Sequence, residues 1–266
     1  FELLFSAIDG TFPNHHPDPS DPQNLIFCKK KLLDLKYNVG FAFDGDGDRL
    51  GVIDDKGRII CGDKLLLLLA KEMLKSKKCK VIADVKCSQV LFDEVERLGG
   101  EIFMSKTGHS HIKNNLKKLN ADLAGEMSGH IFFAEDYYGF DDAFFAAVKV
   151  LEILNNNDKK LSDLVDEIPR VFNTPEIRID CDDNKKFDII SEITKIQKIR
   201  KKNLTNIDGV RVAEKDGWWL LRASNTQPAL VLRCESLTED GLEFQKTLVK
   251  NELSKFNIHI FEKIIS

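Results

Sequence analysis

The chain has 266 residues, 42% of them hydrophobic, and its 39 basic and 43 acidic residues give a net charge of −4. This balance excludes a general nucleic-acid-binding protein, and the length predicts one large domain or two to three small ones. No apolar run approaches the ~18 residues of a membrane span, so we expect no membrane anchor. The six cysteines form no Cys-x-x-Cys pair and are typical of reduced thiols, so we expect a cytoplasmic protein.

The first predicted element is a strand at residues 1–5, which are mostly apolar and suggest that the chain is a fragment entered partway through a strand. Residues 9–24 contain four prolines, which exclude regular structure and predict a rigid surface loop. His15 and His16 are interpreted as part of this loop, because adjacent residues rarely chelate one ion together. Residues 25–36 have the apolar periodicity of a helix.

An acidic segment follows the helix, and residues 43–49 read Phe-Asp-Gly-Asp-Gly-Asp-Arg. Apolar residues 39–43 and 50–53 predict two short buried strands, so the acidic residues lie on a loop at a strand end. We expect Gly45 and Gly47 to adopt positive φ, because glycine has no Cβ. The loop can then curl until its carboxylates converge.

The carboxylates of this loop belong to Asp44, Asp46 and Asp48. Clustered negative charges repel one another unless a cation neutralises them, and hard carboxylate oxygens suit Mg²⁺. The pattern therefore predicts a divalent-metal loop in phosphate chemistry. An EF-hand is excluded, because its sixth and twelfth positions would hold Arg49 and Asp55 instead of Gly and Glu. An aspartyl-phosphate phosphatase, with Asp44 as nucleophile and Asp46 as acid, stays open at this point.

The next predicted elements are a hairpin at 54–60, a helix at 64–74 capped by Asp63, a strand at 81–83, a helix at 88–98, and strands at 102–104 and 122–124. The strand–helix–strand spacing predicts a βαβ unit and a parallel sheet. Ligands on such sheets bind beyond the carboxyl ends of the strands. Three successive strand ends are followed by Lys86, by His109 and by Glu126, Ser128 and His130, so we expect these side chains along one edge.

Helices at 141–154 and 161–168 follow, and the pattern changes at Pro169. Beyond it we predict a strand at 171–179, a helix at 185–201, three strands within 207–235 and a final helix at 238–256. Helices segregated from an antiparallel sheet predict a small α+β domain. The loop between its last two strands contains Arg222, Ser224, Asn225 and Thr226, whose donor groups suit a phosphate.

Three motifs now stand in order: Asp-Gly-Asp-Gly-Asp-Arg at 44–49, Gly-Glu-Met-Ser-Gly-His at 125–130 and Arg-Ala-Ser-Asn-Thr at 222–226. Together they resemble the α-D-phosphohexomutases, specifically the bacterial phosphomannomutase/phosphoglucomutase branch, over essentially the whole chain. The sugar and phosphate motifs do not belong to aspartyl-phosphate phosphatases. The segment Phe12–Pro19 is also typical of the family, without a chemical role that we can assign.

The resemblance implies an α/β fold with two α/β domains, the first truncated, followed by a small α+β domain. These are a metal-binding domain at 1–61, a sugar-binding domain at 62–169 and a phosphate-binding domain at 170–266. The serine loop of the family, of the Thr-Ala-Ser-His-Asn-Pro type, does not occur in this sequence. The chain is therefore expected to lack the phosphoserine that completes the metal centre, and to bind Mg²⁺ weakly.

The resemblance also implies residue roles. Asp44, Asp46 and Asp48 correspond to the Mg²⁺ ligands, and Arg49 to a group near the reacting phosphate. Lys86 and His109 correspond to the groups that act as general acid and base. Glu126 and Ser128 correspond to the pair that binds sugar hydroxyls, with His130 in the same loop, and Arg222, Ser224, Asn225 and Thr226 to the loop that holds the non-reacting phosphate.

The function implied is phosphoryl transfer between C1 and C6 of a hexose phosphate, through a bisphosphate intermediate. The substrate is mannose or glucose 1- or 6-phosphate, and the motifs do not separate the two sugars. We expect this chain by itself to be inactive, and a separate chain with the serine-loop domain is a candidate partner. The alternative is a non-catalytic phosphosugar-binding remnant of a degraded or split mutase gene.

Overall fold

The computed structural model describes residues 1–258 of the chain. The chain divides into two compact units, one formed by residues 1–169 and the other from residue 170 onward. Residues 259–266 of the predicted domain 170–266 lie outside the described residues. Among the described residues, no helix is both long enough and apolar enough to cross a membrane.

The first unit begins with a loop and a small sheet. Its first elements are a 3-10 helix (Pro22–Leu25), α1 (Ile26–Leu35), β1 (Val39–Phe43), β2 (Leu50–Asp54) and β3 (Ile59–Ile60). The strands form an antiparallel sheet in the order β1-β2-β3, which confirms the predicted strands and hairpin. Leu25, Leu32 and Ile53 form a small core between the helices and the sheet.

The prediction of a strand at residues 1–5 is wrong. These residues contain only bends and irregular backbone. Among the described strands β1 pairs with β2 alone, so its other edge is open, and residues 1–5 do not pair with it. A strand without a partner leaves its N–H and C=O groups unpaired, and apolar composition alone does not overcome that cost.

The larger part of the first unit is a sheet covered by helices. Its elements are α2 (Gly62–Leu74), β4 (Lys80–Asp84), α3 (Gln89–Arg97), β5 (Glu101–Ser105), α4 (His109–Leu119), β6 (Leu123–Gly125), β7 (Ile131–Phe133), α5 (Ala143–Asn155) and α6 (Leu161–Asp166). The strand order is β5-β4-β6-β7, and β4 runs parallel to both β5 and β6. The predicted parallel sheet is therefore confirmed. The antiparallel β7 was not predicted.

The sequence predicted that Asp63 caps α2, and this prediction is wrong. The helix begins at Gly62, with Cys61 in the capping position. Asp63 lies in the first turn, where a negative charge favours the helix N-terminus. Its Oδ1 accepts a hydrogen bond from the N–H of Lys64 at 2.8 Å, and its Oδ2 accepts one from the N–H of Ser88 at 3.0 Å. The buried carboxylate therefore joins the starts of α2 and α3.

The second unit is an antiparallel sheet with two helices. Its elements are β8 (Phe172–Asn173), β9 (Ile177–Asp180), α7 (Lys186–Ile199), β10 (Asn203–Thr205), β11 (Val210–Glu214), β12 (Gly217–Ala223), β13 (Ala229–Ser236) and α8 (Glu239–Ser254). The strand order is β10-β11-β12-β13, and both β8 and β9 pair with β13. Trp219, Leu232, Ile193 and Val249 belong to the core between sheet and helices. The predicted fold class, α/β followed by a small α+β part, is confirmed.

The strand predicted at 171–179 is two strands, β8 and β9. Thr174 interrupts the ladder, since its hydroxyl accepts the hydrogen bond from the N–H of Cys234 at 3.0 Å. Pro175 follows and has no N–H to donate. The short strand β10 was missed. The predicted domain boundary between residues 61 and 62 stays a prediction.

Candidate active site

The acidic loop connects β1 and β2, and Asp44 organises it. Oδ1 of Asp44 accepts hydrogen bonds from the N–H groups of Asp48 and Arg49, both at 3.0 Å, and Oδ2 accepts one from Nε of Arg49 at 2.7 Å. Gly47 adopts a φ of 76°, whereas Gly45 has no positive φ. The prediction that both glycines use positive φ is therefore wrong for Gly45, because the bonds to Asp44 and one left-handed residue already close the loop.

The three aspartates of the loop converge. One carboxylate oxygen from each of Asp44, Asp46 and Asp48 lies within 4.8 Å of the others. Asp44 is buried, Asp48 is half-buried and Asp46 is exposed, so the cluster opens towards solvent. Oδ1 of Asp44 accepts two hydrogen bonds and Oδ2 only one, so Oδ2 keeps more capacity for an ion. This set of hard oxygen donors fits a magnesium ion.

The charges of the loop explain why a cation is favoured there. Burial, a hydrogen bond to Asp44 and the nearby charges of Asp44 and Asp46 raise the pKa of Asp48 to about 6, although His130 acts in the opposite direction. Burial opposes the charged form of Asp44, but hydrogen bonds from Arg49 and Asp48 hold its pKa below the ordinary value. Without a cation, the charges of Asp44 and Asp46 disfavour the ionised form of Asp48, and a bound cation would relieve this repulsion.

The second predicted loop, residues 125–130, connects β6 and β7. The N–H of Glu126 donates to the carbonyl of His130 at 3.0 Å, and Gly129 turns the chain with a φ of 97°. Glu126 is only 2% exposed, and its Oε1 accepts a hydrogen bond from the N–H of Gly108 at 2.6 Å. Oε2 lies 3.2 Å from Nδ1 of His130, and Oγ of Ser128 lies 2.9 Å from the same nitrogen.

The two loops meet through backbone contacts. The N–H of Leu50 donates to the carbonyl of Gly129 at 3.0 Å, and Arg49 and His130 form an isolated antiparallel bridge. A Cβ on Gly129 would stand 2.7 Å from the carbonyl oxygen of Leu50, so only glycine fits. This approach brings Nε2 of His130 to 3.3 Å from Oδ1 of Asp48.

The strand ends converge as the topology predicted. Lys86 follows β4, His109 begins α4 directly after β5, and the rings of His109 and His130 are 5.9 Å apart. Lys86 is buried, and its Nζ lies 3.7 Å from Oδ2 of Asp84. The imidazoles of His109 and His130, which can hold or move protons, therefore adjoin the acidic loop.

The sequence interpretation missed Asp141. Its Oδ2 lies 3.2 Å from Nδ1 of His109, and its Oδ1 accepts a hydrogen bond from Lys113 at 3.1 Å. One ligand atom each of Asp48, His109 and Asp141 also lie within 4.8 Å of one another. The sequence did contain a signal for Asp141. Its neighbour Asp142 caps α5, so a second aspartate is not needed to start this helix.

The surroundings of His130 favour its charged form. Burial alone would lower its pKa, but the hydrogen bond and charge of Glu126, together with Asp48 and Asp141, raise it. The pKa of Glu126 is lowered: burial acts against ionisation, and the contacts to His130 and Gly108 outweigh it. Glu126 and His130 therefore each favour the charged form of the other.

The predicted phosphate loop lies in the second unit, between β12 and β13. Arg222 is buried, and its Nε donates to Oδ2 of Asp208 at 3.0 Å. Oγ of Ser224 accepts hydrogen bonds from the N–H groups of Thr226 at 3.4 Å and Gln227 at 3.2 Å. Asn225 and Thr226 are exposed at the tip.

Two partners of this loop were not predicted. Asp208 orients Arg222, and the buried Lys186 donates from Nζ to the carbonyl of Gln227 at 2.9 Å. Both lie far from the motif in sequence, so the motif alone gives no signal for them. Together they hold a polar loop whose arginine, hydroxyl and amide groups can bind an anion.

Family models match most of the chain. Three models of the phosphoglucomutase/phosphomannomutase family match it. The model of alpha/beta/alpha domain II matches residues 3–57, that of alpha/beta/alpha domain III matches 61–172, and that of the C-terminal domain matches 176–247. A Pseudomonas putida phosphomannomutase/phosphoglucomutase is 45% identical over 251 residues, which are 94% of this chain and 54% of the relative. A Neisseria gonorrhoeae phosphoglucomutase is 44% identical over 243 residues, 90% of this chain and 53% of the relative.

A solved structure agrees with the sequence matches. It is a phosphoglucomutase/phosphomannomutase family protein from Burkholderia thailandensis, with a TM-score of 0.88 and 41% sequence identity. The similarity covers 96% of this chain and 54% of that chain. The chain thus spans about half the length of the relatives it matches. It belongs to the phosphoglucomutase/phosphomannomutase family, of which it contains domains II, III and IV.

Proposed function

We propose that the chain is the carboxy-terminal part of a phosphomannomutase/phosphoglucomutase. The reaction moves a phosphoryl group between C1 and C6 of a hexose phosphate, through a bisphosphate intermediate. The observation that supports this most is the 3.3 Å approach of Nε2 of His130 to Oδ1 of Asp48. It joins a cluster of metal-ligand type to a loop with hydroxyl-binding and proton-carrying groups, as phosphoryl transfer to a sugar requires.

The ion that we propose for the acidic loop is Mg²⁺, held by Asp44, Asp46 and Asp48. When bound, Mg²⁺ supplies charge neutralisation for phosphate oxygens. The convergence of the three carboxylates within 4.8 Å supports this assignment. Arg49 is proposed to bind the reacting phosphate, since its guanidinium is anchored to the same loop through Asp44.

The sugar would be bound by the loop at 125–130. Both carboxylate oxygens of Glu126 keep acceptor capacity beyond their contacts to Gly108 and His130, so they can accept bonds from sugar hydroxyls. Ser128 is proposed to bind a neighbouring hydroxyl. His130 contacts both Glu126 and Ser128 through Nδ1 and is proposed to orient this pair.

Lys86 and His109 are proposed to move the proton of the attacking hydroxyl. Such general acid–base catalysis contributes typically about 10²–10⁴-fold. His109 is half-exposed, and Asp141 lies 3.2 Å from its Nδ1, which orients the ring and leaves Nε2 for a substrate. Lys86 is buried beside Asp84 and can supply a fixed positive charge or a proton.

The second unit would hold the phosphate that does not react. Arg222, Ser224, Asn225 and Thr226 supply the guanidinium, hydroxyl and amide donors. The serine loop of the family does not occur in these 266 residues. We therefore propose that this stretch does not complete the mutase cycle by itself, and that it acts in the cytoplasm with a domain or separate chain that carries the phosphoserine.

The test has two parts. Titration calorimetry in the presence of Mg²⁺ should detect binding of glucose 6-phosphate or mannose 6-phosphate. Glu126→Gln should weaken this binding at least about 10-fold, since a sugar hydroxyl loses a charged acceptor. Glu96→Gln, an exposed exchange on α3, is the matched control. Conversion of glucose 1-phosphate to glucose 6-phosphate should then appear only after a chain with the serine-loop domain is added. Binding without restored conversion would favour the phosphosugar-binding remnant, and no binding would contradict both functions.

A further inference from the structure

The proline-rich segment at residues 12–19 has no role in the chemistry described so far. We propose that this segment positions Arg49, with Asp18 as the positioning residue that fixes the guanidinium for a phosphate. The inference rests on the proposed function of Arg49. It assigns a role to a segment that contributes no metal ligand or sugar contact.

Two carboxylates hold the guanidinium of Arg49 from different sides. Nε donates to Oδ2 of Asp44 at 2.7 Å, and Nη1 donates to Oδ1 of Asp18 at 3.1 Å. Because the guanidinium is planar, two bonds to different nitrogens fix both its position and the direction of its plane. Of its five N–H donors, one on Nη1 and two on Nη2 stay available for an anion.

Asp18 is itself held in place by its own segment. Its Oδ1 accepts hydrogen bonds from the N–H of Ser20 at 3.0 Å and from Oγ of Ser20 at 2.6 Å. Its carbonyl accepts one from Nδ2 of Asn24 at 2.8 Å. Burial disfavours the charged carboxylate, but the bonds from Ser20 and the charge of Arg49 lower its pKa, so Asp18 is ionised at neutral pH.

The segment also packs against the acidic loop and its exit strand. A Cβ on Gly45 would stand 3.3 Å from the ring of Phe12 and 3.5 Å from Pro17. Pro19 is buried, and a Cβ on Gly51 would stand 2.9 Å from its Cβ. Prolines restrict φ on both sides of Asp18, so little conformational freedom remains to be lost when Arg49 is bound.

This combination differs from an ordinary surface ion pair, which contributes little because both long side chains are mobile. Here the side chains of Asp18 and Arg49 are 29% and 26% exposed, and each has a second anchor. The main effect of the contact is therefore to orient the guanidinium of Arg49. A phosphate meets an arginine that is already aligned.

The experiment measures binding of glucose 1,6-bisphosphate to the chain in the presence of Mg²⁺ by titration calorimetry. Asp18→Asn keeps the shape and removes the charge, and should weaken binding about 5–20-fold, near the low end of the effect of one charge-assisted hydrogen bond, because Asp18 acts through Arg49. Asp21→Asn is the matched control. Asp21 caps the 3-10 helix through the N–H of Gln23, which asparagine also does, so binding should be unchanged.

A double-mutant cycle separates positioning from general damage. If Asp18 acts through Arg49, Asp18→Asn should cause no further loss in an Arg49→Ala background. The same loss in both backgrounds would overturn the proposal, as would wild-type affinity of Asp18→Asn.

A second measurement needs no ligand. In ¹⁵N spectra of the side chains, the Nη groups of Arg49 should rotate slowly in the wild type and at least several-fold faster in Asp18→Asn. Equal rotation rates would also overturn the proposal. If the wild type binds no bisphosphate, the proposed function of the chain fails, while these spectra still decide whether Asp18 holds Arg49.

Discussion

Nε2 of His130 lies 3.3 Å from Oδ1 of Asp48, although the two residues belong to loops on different sheets of the first unit. The contact depends on the hydrogen bond between Leu50 and Gly129, which seats one loop on the other. A proton on His130 is therefore sensitive to Glu126 on one side and to the acidic loop on the other. The predictions below follow from this junction and from the loop of the second unit.

In the metal-free chain, His130 should titrate above its ordinary pKa of 6.5, because Glu126, Asp48 and Asp141 favour the imidazolium more than burial disfavours it. Glu126→Gln should lower this pKa. Mg²⁺ bound at the aspartates should lower it too, since the positive ion repels the imidazolium where the carboxylates attracted it. NMR titration of the His130 ring signals measures both shifts. Glu96→Gln should leave the titration unchanged, and an unchanged curve in Glu126→Gln would refute the prediction.

The same pair gives a pH dependence of stability. The pKa of His130 is raised on folding, so its contribution is complete below the unfolded pKa and is lost as pH rises through the folded value. The pKa of Glu126 is lowered, so its contribution is complete above the unfolded value and is lost as pH falls through the folded one. The difference in melting temperature between wild type and Glu126→Gln should thus be largest between these two limits. A difference that does not vary with pH would contradict the coupling.

Asp44 and Asp46 should respond differently to removal. Asp46 is exposed, so Asp46→Ala should leave the metal-free chain folded and abolish the rise in melting temperature caused by Mg²⁺. Asp44 accepts three hydrogen bonds within the loop, so Asp44→Ala should also lower the free energy of unfolding by about 1–3 kcal/mol without metal. Thermal melts with and without Mg²⁺ distinguish the variants. An undiminished Mg²⁺ effect in Asp46→Ala would exclude this residue as a ligand.

Gly129→Ala should disturb the junction of the two loops. The position has a φ of 97°, and the new Cβ would stand 2.7 Å from the carbonyl oxygen of Leu50. We expect a loss of about 1–3 kcal/mol in the free energy of unfolding, the usual cost of a strained backbone position, and faster amide exchange at Leu50. Denaturant unfolding and hydrogen exchange measure these effects.

Gly10→Ala is the control for this variant, because it lacks a positive φ and nothing lies within 4 Å of the added Cβ. Its free energy of unfolding should stay within about 0.5 kcal/mol of the wild type. Equal free energies of unfolding for Gly129→Ala and Gly10→Ala would mean that the close approach of Gly129 to Leu50 does not contribute to stability.

Asp208→Asn should weaken phosphate binding by the second unit. Asp208 accepts a hydrogen bond from Nε of Arg222, and Gly209 brings it close, since a Cβ there would stand 2.6 Å from Cβ of Arg222. We expect about 3–10-fold weaker binding of glucose 6-phosphate, because the guanidinium loses a charged partner. Calorimetry measures this loss. Asp216→Asn, an exposed exchange in the turn at the opposite end of the β11–β12 hairpin, should have no effect, and an equal loss there would indicate general electrostatics.

Much of the local structure follows from the sequence. The apolar segments around the acidic run predict β1 and β2, and helix and strand periodicities predict the order of the larger elements, because side-chain period and glycine or proline positions are local properties. The failures come from pairing and contacts between distant residues. Residues 1–5 are apolar without a partner strand, and Asp63 resembles a cap but serves as a bridge between two helices.

The sequence by itself determined the chemistry of the three loops, since an acidic glycine run, a Glu-Met-Ser-Gly-His segment and an Arg-Ala-Ser-Asn-Thr segment carry their functional groups at fixed short spacing. Only the tertiary structure decided that His130 reaches Asp48, that Asp141 faces His109 and that Asp18 holds Arg49 from 31 positions away. Such contacts depend on strand pairing and helix packing, which bring distant residues together. A motif records which groups are present, whereas the packed fold sets the distances at which they act.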